Sequence, residues 1–173
     1  MKLVMETFYH GSSHLFDQFS LSHALEGAGK VKFGYGVYVT SEYSSARHYA
    51  EKYAEGETIY VYTVEVPEKR EDNYIDFKEP VKETIVARAM EALNEKIPEK
   101  AVENGKVFRK YIAKRITGKV DFEGEKAASA FLLGIGVEMI IWPYNWRKPA
   151  IGSNRAILRD SDVRIVKVDS MKR

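Results

Sequence analysis

The chain has 173 residues, of which 45% are hydrophobic and 30% charged, and this composition is typical of a globular domain with an apolar core. The formal net charge of +2 is too small to indicate a nucleic-acid partner by itself. The absence of cysteine excludes disulfide scaffolds, thiolate metal sites and cysteine nucleophiles. No apolar run approaches the ~20 residues that a membrane span requires, and the start of the chain does not resemble a signal peptide.

Hydrophobic periodicity and turn residues predict ten elements along the chain. Glycines at 27, 29, 34 and 36 predict a mobile loop between the first two strands. The predicted strands are 3–10, 37–39, 58–66, 139–142, 156–158 and 163–168, and the predicted helices are 43–55, 80–97, 106–116 and 123–133.

Strands at both ends of the chain and helices between them predict an α+β fold with a mainly antiparallel sheet. We expect one domain over residues 1–173. In the helix predicted for 106–116, the pattern puts Val107, Phe108, Tyr111 and Ile112 on one face. In the next helix it puts Ala127, Ala130 and Phe131 on the buried face.

Three short segments combine residue types that suit a ligand cleft. They are residues 9–12 (YHGS), 34–40 (GYGVYVT) and 44–49 (SSARHY). Each segment alone has an ordinary structural explanation, since a histidine at a strand end is usually a hydrogen-bonded structural residue. Glycines beside a tyrosine usually indicate a tight turn or a close backbone approach.

Taken together, in this order and spacing, the segments resemble the diphtheria-toxin-like branch of the ADP-ribosyltransferases, which includes the poly(ADP-ribose) polymerases. That branch has a strand ending in His-Gly-Ser or His-Gly-Thr, here His10 to Ser12, and a Gly-x-Gly-[Ile/Val]-Tyr strand, here residues 34–38. A second tyrosine follows eleven residues later, here Tyr49. Residues 58–77 resemble the strand pair that comes next in small bacterial and phage members.

The resemblance implies a fold of split antiparallel β-sheets around an NAD⁺ cleft, with residues 81–135 as a helical insertion. It also implies site residues. His10 would bind a ribose hydroxyl, and the backbone of Gly11, beside Ser12, would hold the nicotinamide carboxamide. Tyr38 and Tyr49 would sandwich the nicotinamide ring. The family's carboxamide-binding serine falls on Ala46, so we expect Ser45 to take that role.

The third catalytic position is the weakest part of the resemblance. Many relatives have a glutamate at the start of the late strand, where it stabilises the cationic transition state. Asn154 occupies that position here, and the alternative is that it is a turn residue. Glu138 is the nearest acidic alternative. Loss of the glutamate is associated with transfer of a single ADP-ribose unit, so we do not expect chain elongation.

Two basic segments bear on the acceptor. Residues 104–120 carry six Lys or Arg and no acid, with Lys106, Lys110 and Lys114 on one helix face. A solvated face is the simpler explanation, and a nucleic-acid backbone is the alternative. Residues 142–148 combine two tryptophans with Arg147 and Lys148, and either a stacked base or a protein partner fits them.

The sequence therefore predicts a cytoplasmic mono-ADP-ribosyltransferase, acting in the producer or the target cell. Its substrate is NAD⁺ and its acceptor a protein or nucleic acid; it needs no metal and no membrane. A toxin or effector role is expected, with a cognate antitoxin or immunity protein as a possible partner. The alternatives are an NAD⁺ glycohydrolase, an RNA 2′-phosphotransferase-like enzyme, and a degenerate module that binds NAD⁺ or a partner without turnover.

Overall fold

A computed structural model of the chain describes residues 4–24 and 32–173. Gly27 and Gly29 of the predicted mobile loop lie outside these residues. No helix in the described ranges is long and apolar enough to cross a membrane. The strands are β1 (Met5–Ser12), β2 (Val37–Thr40), β3 (Thr58–Pro67), β4 (Tyr74–Asp76), β5 (Met139–Pro143), β6 (Ser153–Ile157) and β7 (Arg164–Lys172). The helices are α1 (Leu21–Ala24), α2 (Tyr43–Lys52), α3 (Glu83–Leu93), α4 (Gly105–Thr117) and α5 (Phe122–Gly134), with short 3-10 turns at Glu99–Val102, Pro149–Ile151 and Asp160–Asp162.

The strands form a seven-stranded sheet in the order β4-β5-β6-β2-β1-β3-β7. All neighbouring strands are antiparallel except β4 and β5, which run parallel. The α+β class is therefore confirmed. Residues 58–77 contain two strands, β3 and β4, as expected, but the two are not neighbours in the sheet, because β7 pairs with β3 while β4 forms the opposite edge. The chain from β4 to β5 contains α3, α4 and α5, which gives the long crossover that parallel strands require.

Little backbone pairing holds the middle of the sheet together, between β1 and β2. β1 pairs with β3 along eight residues, whereas its pairing with β2 consists of Tyr9 opposite Thr40. Each strand is hydrogen-bonded to the next one in this order, so the structure has one sheet, whereas we expected two. The sheet nevertheless has two halves, β4-β5-β6-β2 and β1-β3-β7, that part from each other beyond this residue pair.

The two faces of the sheet have separate cores. Side chains alternate between faces along a strand, so Tyr9 and Gly11 lie on one face and His10 on the other. The first face is covered by helices: α2 packs on β1 and β3, while α3 to α5 cover the β4-β5-β6-β2 half. We call this the helical face. The opposite face packs under the segment that follows β1, through Phe16 and Phe19.

Helix α4 begins and ends, and helix α5 begins, at residues suited to those positions. The side chain of Asn104 accepts a hydrogen bond from the Val107 amide at 2.9 Å, and that of Asp121 accepts one from Gly124 at 3.0 Å. Such caps satisfy amides that have no partner within the helix. Helix α4 ends at Gly118, whose φ of 78° is readily adopted only by glycine.

The buried face predicted for α5 is wrong. Ala130 is exposed, and Ala127 and Phe131 are only half-buried. The residues buried on α5 are Gly124, Glu125, Ala128, Ser129 and Leu132. The cause is Glu125, a carboxylate that an apolar periodicity assigns to solvent and that here pairs with a buried arginine of α4.

Candidate functional site

His10 lies at the point where the two halves of the sheet separate. Its Nδ1 is 2.6 Å from the backbone oxygen of Tyr38 on β2, so Nδ1 carries the proton and donates it to that carbonyl. The ring packs edge-on against Phe19 and Tyr62. Burial lowers the pKa of His10, and the bond to the Tyr38 carbonyl opposes this effect. The ring is therefore neutral near pH 7, with Nε2 available as a hydrogen-bond acceptor.

Gly11 allows helix α2 to pack directly on β1. A Cβ placed on Gly11 would lie 1.8 Å from the backbone oxygen of Ala46 and 3.1 Å from the Cβ of Ala50. Only glycine permits this approach. It brings the helix position that resembles the family's carboxamide-binding serine against Gly11, and that position is a buried alanine. The hydroxyl of Ser12 accepts a hydrogen bond from the amide of His14 at 3.0 Å.

Tyr38 belongs to the helical face, under the loop that precedes β2. Its hydroxyl donates to the carbonyl oxygen of Gly34 at 2.7 Å and accepts from the amide of Phe33 at 3.0 Å. The ring meets Trp142 edge-on, with centroids 5.4 Å apart. Burial raises the pKa of Tyr38, so its hydroxyl stays protonated. The side chain thus fixes the loop and the strand to each other.

Tyr49 and Ser45 lie on α2, which packs on β1 and β3 and also contacts β2. The ring of Tyr49 is 44% exposed, and its centroid is 4.7 Å from that of Tyr53. Among the described residues, Tyr38 has ring contacts with Phe33 and Trp142 rather than with Tyr49. Each of the two tyrosines expected to sandwich a ligand ring therefore has other aromatic neighbours. Ser45 is half-buried, and its amide bonds to the carbonyl oxygen of Glu42 at 3.1 Å.

The side chain of Asn154 lies on the helical face of the sheet, as that of Tyr38 does. On β6 it lies between Thr40 of β2 and Trp142 of β5, which are its paired residues. Its Oδ1 atom is buried and makes no hydrogen bond to the described residues. An unsatisfied buried amide oxygen is costly, and a ligand hydroxyl is one group that could satisfy it. The turn alternative is wrong, because Asn154 lies within a strand.

Sequence reasoning missed Glu42. The amide of Ser41 donates to the carbonyl oxygen of Ser153 at 2.9 Å, which extends the β2–β6 ladder and brings Glu42 opposite Gly152. The carboxyl carbon of Glu42 is 3.6 Å from where a Cβ on Gly152 would lie. Its carboxylate makes no hydrogen bond or ion pair within the described ranges. A carboxylate is therefore present beside the start of β6, supplied by the residue before α2.

A buried ion pair supports the loop above Tyr38. Nε of Arg109 on α4 is 2.7 Å from Oε2 of Glu125 on α5, and both side chains are less than 5% exposed. A second nitrogen of Arg109 donates to the carbonyl oxygen of Lys32 at 2.9 Å. The hydroxyl of Ser129 donates to the carbonyl oxygen of Tyr35 at 2.7 Å. The predicted helical insertion thus holds the glycine-rich loop in place.

The other charged candidates have structural partners. Oε2 of Glu138 is 2.8 Å from the side-chain nitrogen of Asn73 and 3.2 Å from Arg70. Arg155 is buried and bonds to Glu6 at 2.7 Å. Glu138 is therefore held at the β4 end of the sheet, and Arg155 is held on the face opposite Asn154.

An aromatic row extends from Tyr38 toward the edge where β4 and β5 end. Successive ring centroids are 5.4, 4.0, 5.0 and 5.9 Å apart. The members, which we call the aromatic row, are Tyr38, Trp142, Phe33, Phe77 and Trp146. A groove of about 180 Å³ lies where β4 and β5 end, lined in part by Lys78, Ile141 and Ser153, and Trp142 is the member of the row in its lining.

The expected residues therefore fall into two groups. His10 and Tyr38 are joined directly, and Asn154 lies on the Tyr38 face. Ser12, Ser45 and Tyr49 have local contacts of their own. Comparison of the chain with protein-family models, with curated proteins and with solved structures found no match.

Proposed function

We propose that this chain binds NAD⁺ where the two halves of the sheet separate and transfers its ADP-ribose unit to a macromolecule. The observation that carries the proposal is the junction at Tyr9 and Thr40. His10 and Gly11 lie just beyond it on β1, Tyr38 lies just beyond it on β2, and these are the residues on which the resemblance rests. Two distant sequence motifs therefore meet at one place.

The reaction breaks the bond between ribose C1′ and the nicotinamide nitrogen. Nicotinamide leaves with the bonding electron pair and becomes neutral, and the ribose becomes an oxocarbenium-like cation. An acceptor oxygen or nitrogen then attacks C1′ and loses its proton. The protein therefore has to hold the two halves of NAD⁺ at a fixed angle and stabilise positive charge on the sugar.

The polar groups at the junction suit the ribose. Neutral His10 has Nε2 free to accept from a hydroxyl, because Nδ1 is committed to the Tyr38 carbonyl. The buried Oδ1 of Asn154 is a second acceptor without a partner in the described structure, and it lies on the opposite face of the sheet from His10, so the two acceptors would bind different parts of NAD⁺. Tyr49 offers an exposed ring face to nicotinamide. These are the residues that would hold NAD⁺.

Glu42 is our candidate for the negative charge that Asn154 lacks. It lies two residues after Thr40, the residue paired with Asn154. The chain bends at Ser41, and the carboxyl carbon of Glu42 lies 3.6 Å from where a Cβ on Gly152, the residue before β6, would be. A carboxylate there would stabilise the cation electrostatically.

Labelled NAD⁺ incubated with the purified protein and a cell lysate tests the proposal. We expect label on a macromolecule, and its loss in His10→Ala and Tyr49→Ala. His48→Ala on the exposed side of α2 is the matched control and should transfer normally. Free ADP-ribose without a labelled acceptor would indicate a glycohydrolase, and intact NAD⁺ in every condition would exclude both enzymes.

The role of Glu42 is tested separately by Glu42→Gln. The amide keeps the shape but removes the charge, so we expect transfer to slow by about 10²-fold or more, as for the loss of one electrostatic group. NAD⁺ affinity should change little. Glu55→Gln, an exposed acid beyond the end of α2, is the control. A rate unaffected by Glu42→Gln would remove Glu42 from the mechanism.

A further inference from the structure

The aromatic row becomes steadily more exposed away from the candidate site. Trp142 is 5% exposed, Phe33 and Phe77 are half-buried, and Trp146 is 45% exposed. A single exposed tryptophan is common on protein surfaces. A continuous row of stacked and edge-on rings that ends in one is unusual, because burial would be the ordinary fate of such rings.

Lysines accompany the exposed end of the row. The ammonium of Lys32 is 5.3 Å from the centre of the Phe33 ring, that of Lys106 is 5.7 Å from Phe77, and that of Lys78 is 6.0 Å from Trp146. All three lysines are exposed. Lys32 comes from the loop before β2, Lys106 from α4 and Lys78 from the segment after β4. Three parts of the chain therefore form one strip of positive charge.

The acidic groups near the strip include Asp76, Glu79 and Glu42, which lies beside the groove. Oδ1 of Asp76 accepts from the amides of Lys78 and Glu79, at 2.8 and 3.2 Å, and so closes a turn. Glu79 is exposed beside the groove. Arg147 and Lys148 follow Trp146 directly and are also exposed. Positive charge therefore predominates along the row.

The aromatic row begins at the candidate site. Trp142 is paired in the sheet with Asn154 and meets the ring of Tyr38. The groove meets the row at Trp142 and is also lined by Gly152, which is next to Glu42, and by Ser153. A polymer lying along the row would thus pass the start of β6, where the cleft would present ribose C1′.

We propose that the aromatic row and its lysines bind single-stranded nucleic acid, which is the acceptor of the reaction. Aromatic rings stack with bases of any sequence, while lysines contact phosphates. An acidic peptide would use the lysines but not the rings. That the strand is the acceptor rests on the proposed function, whereas the binding itself does not.

Fluorescence anisotropy of labelled oligothymidylate and oligouridylate of about 12 nucleotides tests the binding without NAD⁺. We expect both probes to bind at about 50 mM salt and to weaken steeply toward 200 mM. Trp146→Ala should weaken binding about tenfold, through loss of one stacked base. Lys78→Ala should weaken it for all sequences and reduce its salt dependence.

The chain offers a matched control pair on α2. Tyr53 is 49% exposed and Lys52 lies 5.3 Å from the centre of its ring, so this pair has the same chemistry outside the row. Tyr53→Ala and Lys52→Ala should bind as the unmodified protein does. Equal loss in the control pair would overturn the proposal.

Two competitors distinguish binding of bases at the aromatic row from general polyanion binding. Heparin and polyglutamate carry charge but no bases, so they should displace the oligonucleotides poorly and be insensitive to Trp146→Ala. Displacement by either at equal charge concentration would overturn the proposal, as would the absence of oligonucleotide binding. The difference between the two oligonucleotides tells DNA from RNA.

His10→Ala separates the two proposals. It should bind the oligonucleotides normally, because His10 lies on the opposite face of the sheet from the row. If the unmodified protein consumes NAD⁺ and binds the oligonucleotides but transfers no label to them, the surface stays in place and its acceptor role is refuted. If the unmodified protein binds the oligonucleotides but neither consumes NAD⁺ nor transfers label, that counts against the proposed function alone.

Discussion

His10 and Tyr38 are linked through the backbone rather than through their rings. Nδ1 of His10 donates to the Tyr38 carbonyl, so the imidazole bridges the two strands as they separate. The same bond determines the tautomer and leaves Nε2 free for another group. One residue thus has a structural and a candidate binding role, and substitutions have to distinguish them.

His10→Gln should reduce the dependence of stability on pH. Burial lowers the pKa of His10 below its value of 6.5 in the unfolded chain. The stability that neutral His10 contributes is therefore present above pH 6.5, and it is lost as the pH falls from 6.5 toward the lower folded pKa, because the unfolded chain takes up the proton first. The loss is up to about 1.4 kcal/mol per pH unit.

Urea unfolding at pH 7.5 and pH 5.5 measures this effect. The free energy of unfolding should fall more in the unmodified protein than in His10→Gln. His48→Gln is the control, because His48 is exposed. Equal pH dependence of all three proteins would mean that His10 is solvated and not held by the Tyr38 carbonyl.

Gly11→Ala should destabilise the protein far more than a typical glycine substitution. The added methyl would overlap the Ala46 carbonyl, which belongs to the backbone of α2 and cannot rotate away. We expect a loss of about 1–3 kcal/mol or more, typical of overpacking. At Gly56 an added Cβ has nothing within 4 Å, so Gly56→Ala should cost little. Thermal unfolding of both variants checks the contrast, and a neutral Gly11→Ala would contradict the packing of α2 on β1.

Among the elements, α4 and α5 depend on a charge pair as well as on apolar packing. Burial raises the pKa of Glu125, and the guanidinium of Arg109 opposes that shift. Arg109 also bonds to the Lys32 carbonyl, and its side chain lies against Gly34. The pair therefore links the two helices to the loop that covers Tyr38.

Arg109→Ala should cost about 3–5 kcal/mol, because it leaves Glu125 buried without a partner. Arg115→Ala, on the same helix, removes a partner of Glu95 from a solvent-exposed ion pair and should cost about 0–1 kcal/mol. Chemical denaturation of both variants measures the difference. Nearly equal losses would mean that Arg109 and Glu125 are accessible to water.

The sequence predicts elements well where periodicity and turn residues agree. β3 was predicted as 58–66 and is Thr58–Pro67, because alternating β-branched and aromatic residues leave no competing pattern. The burial of α5 was not predictable in the same way. Glu125 is buried only because Arg109 is, and a partner far along the chain is invisible to a local pattern.

The candidate site shows the same division. His10, Gly11 and Tyr38 could be selected from motifs, since each motif is local. Glu42 could not, because its position opposite Gly152 depends on the register of β2 against β6. The sequence indicates the aromatic row only in part, because Phe33 and Phe77 join the two tryptophans through tertiary packing alone.

In the molecule as a whole, Arg155 links the halves of the sheet on the face opposite the helices. From β6 its guanidinium reaches Oε2 of Glu6 on β1 at 2.7 Å and the carbonyl oxygen of Pro67 on β3 at 3.2 Å. It also lies 4.3 Å from the centre of the Phe8 ring. Since backbone pairing between the halves is limited to Tyr9 and Thr40, this side chain should determine how firmly the halves are held together.

Glu6→Ala should therefore be more damaging than Arg155→Met. Removing Glu6 leaves a guanidinium that is 5% exposed without its carboxylate, at a cost of about 3–5 kcal/mol. Arg155→Met keeps an apolar stem against Phe8 and leaves Glu6, which is 36% exposed, to be solvated, so the loss should be about 1.5 kcal/mol or less.

Hydrogen exchange measured along the chain shows which strands lose stability in Glu6→Ala. In Glu6→Ala, the amides of β1 and β2 next to the junction should exchange faster than those between β5 and β6, because the separation of the halves then requires less free energy. Uniform acceleration across all strands would mean that the sheet opens as one cooperative unit. The junction would then be a rigid seam, and NAD⁺ would have to bind between halves that do not move.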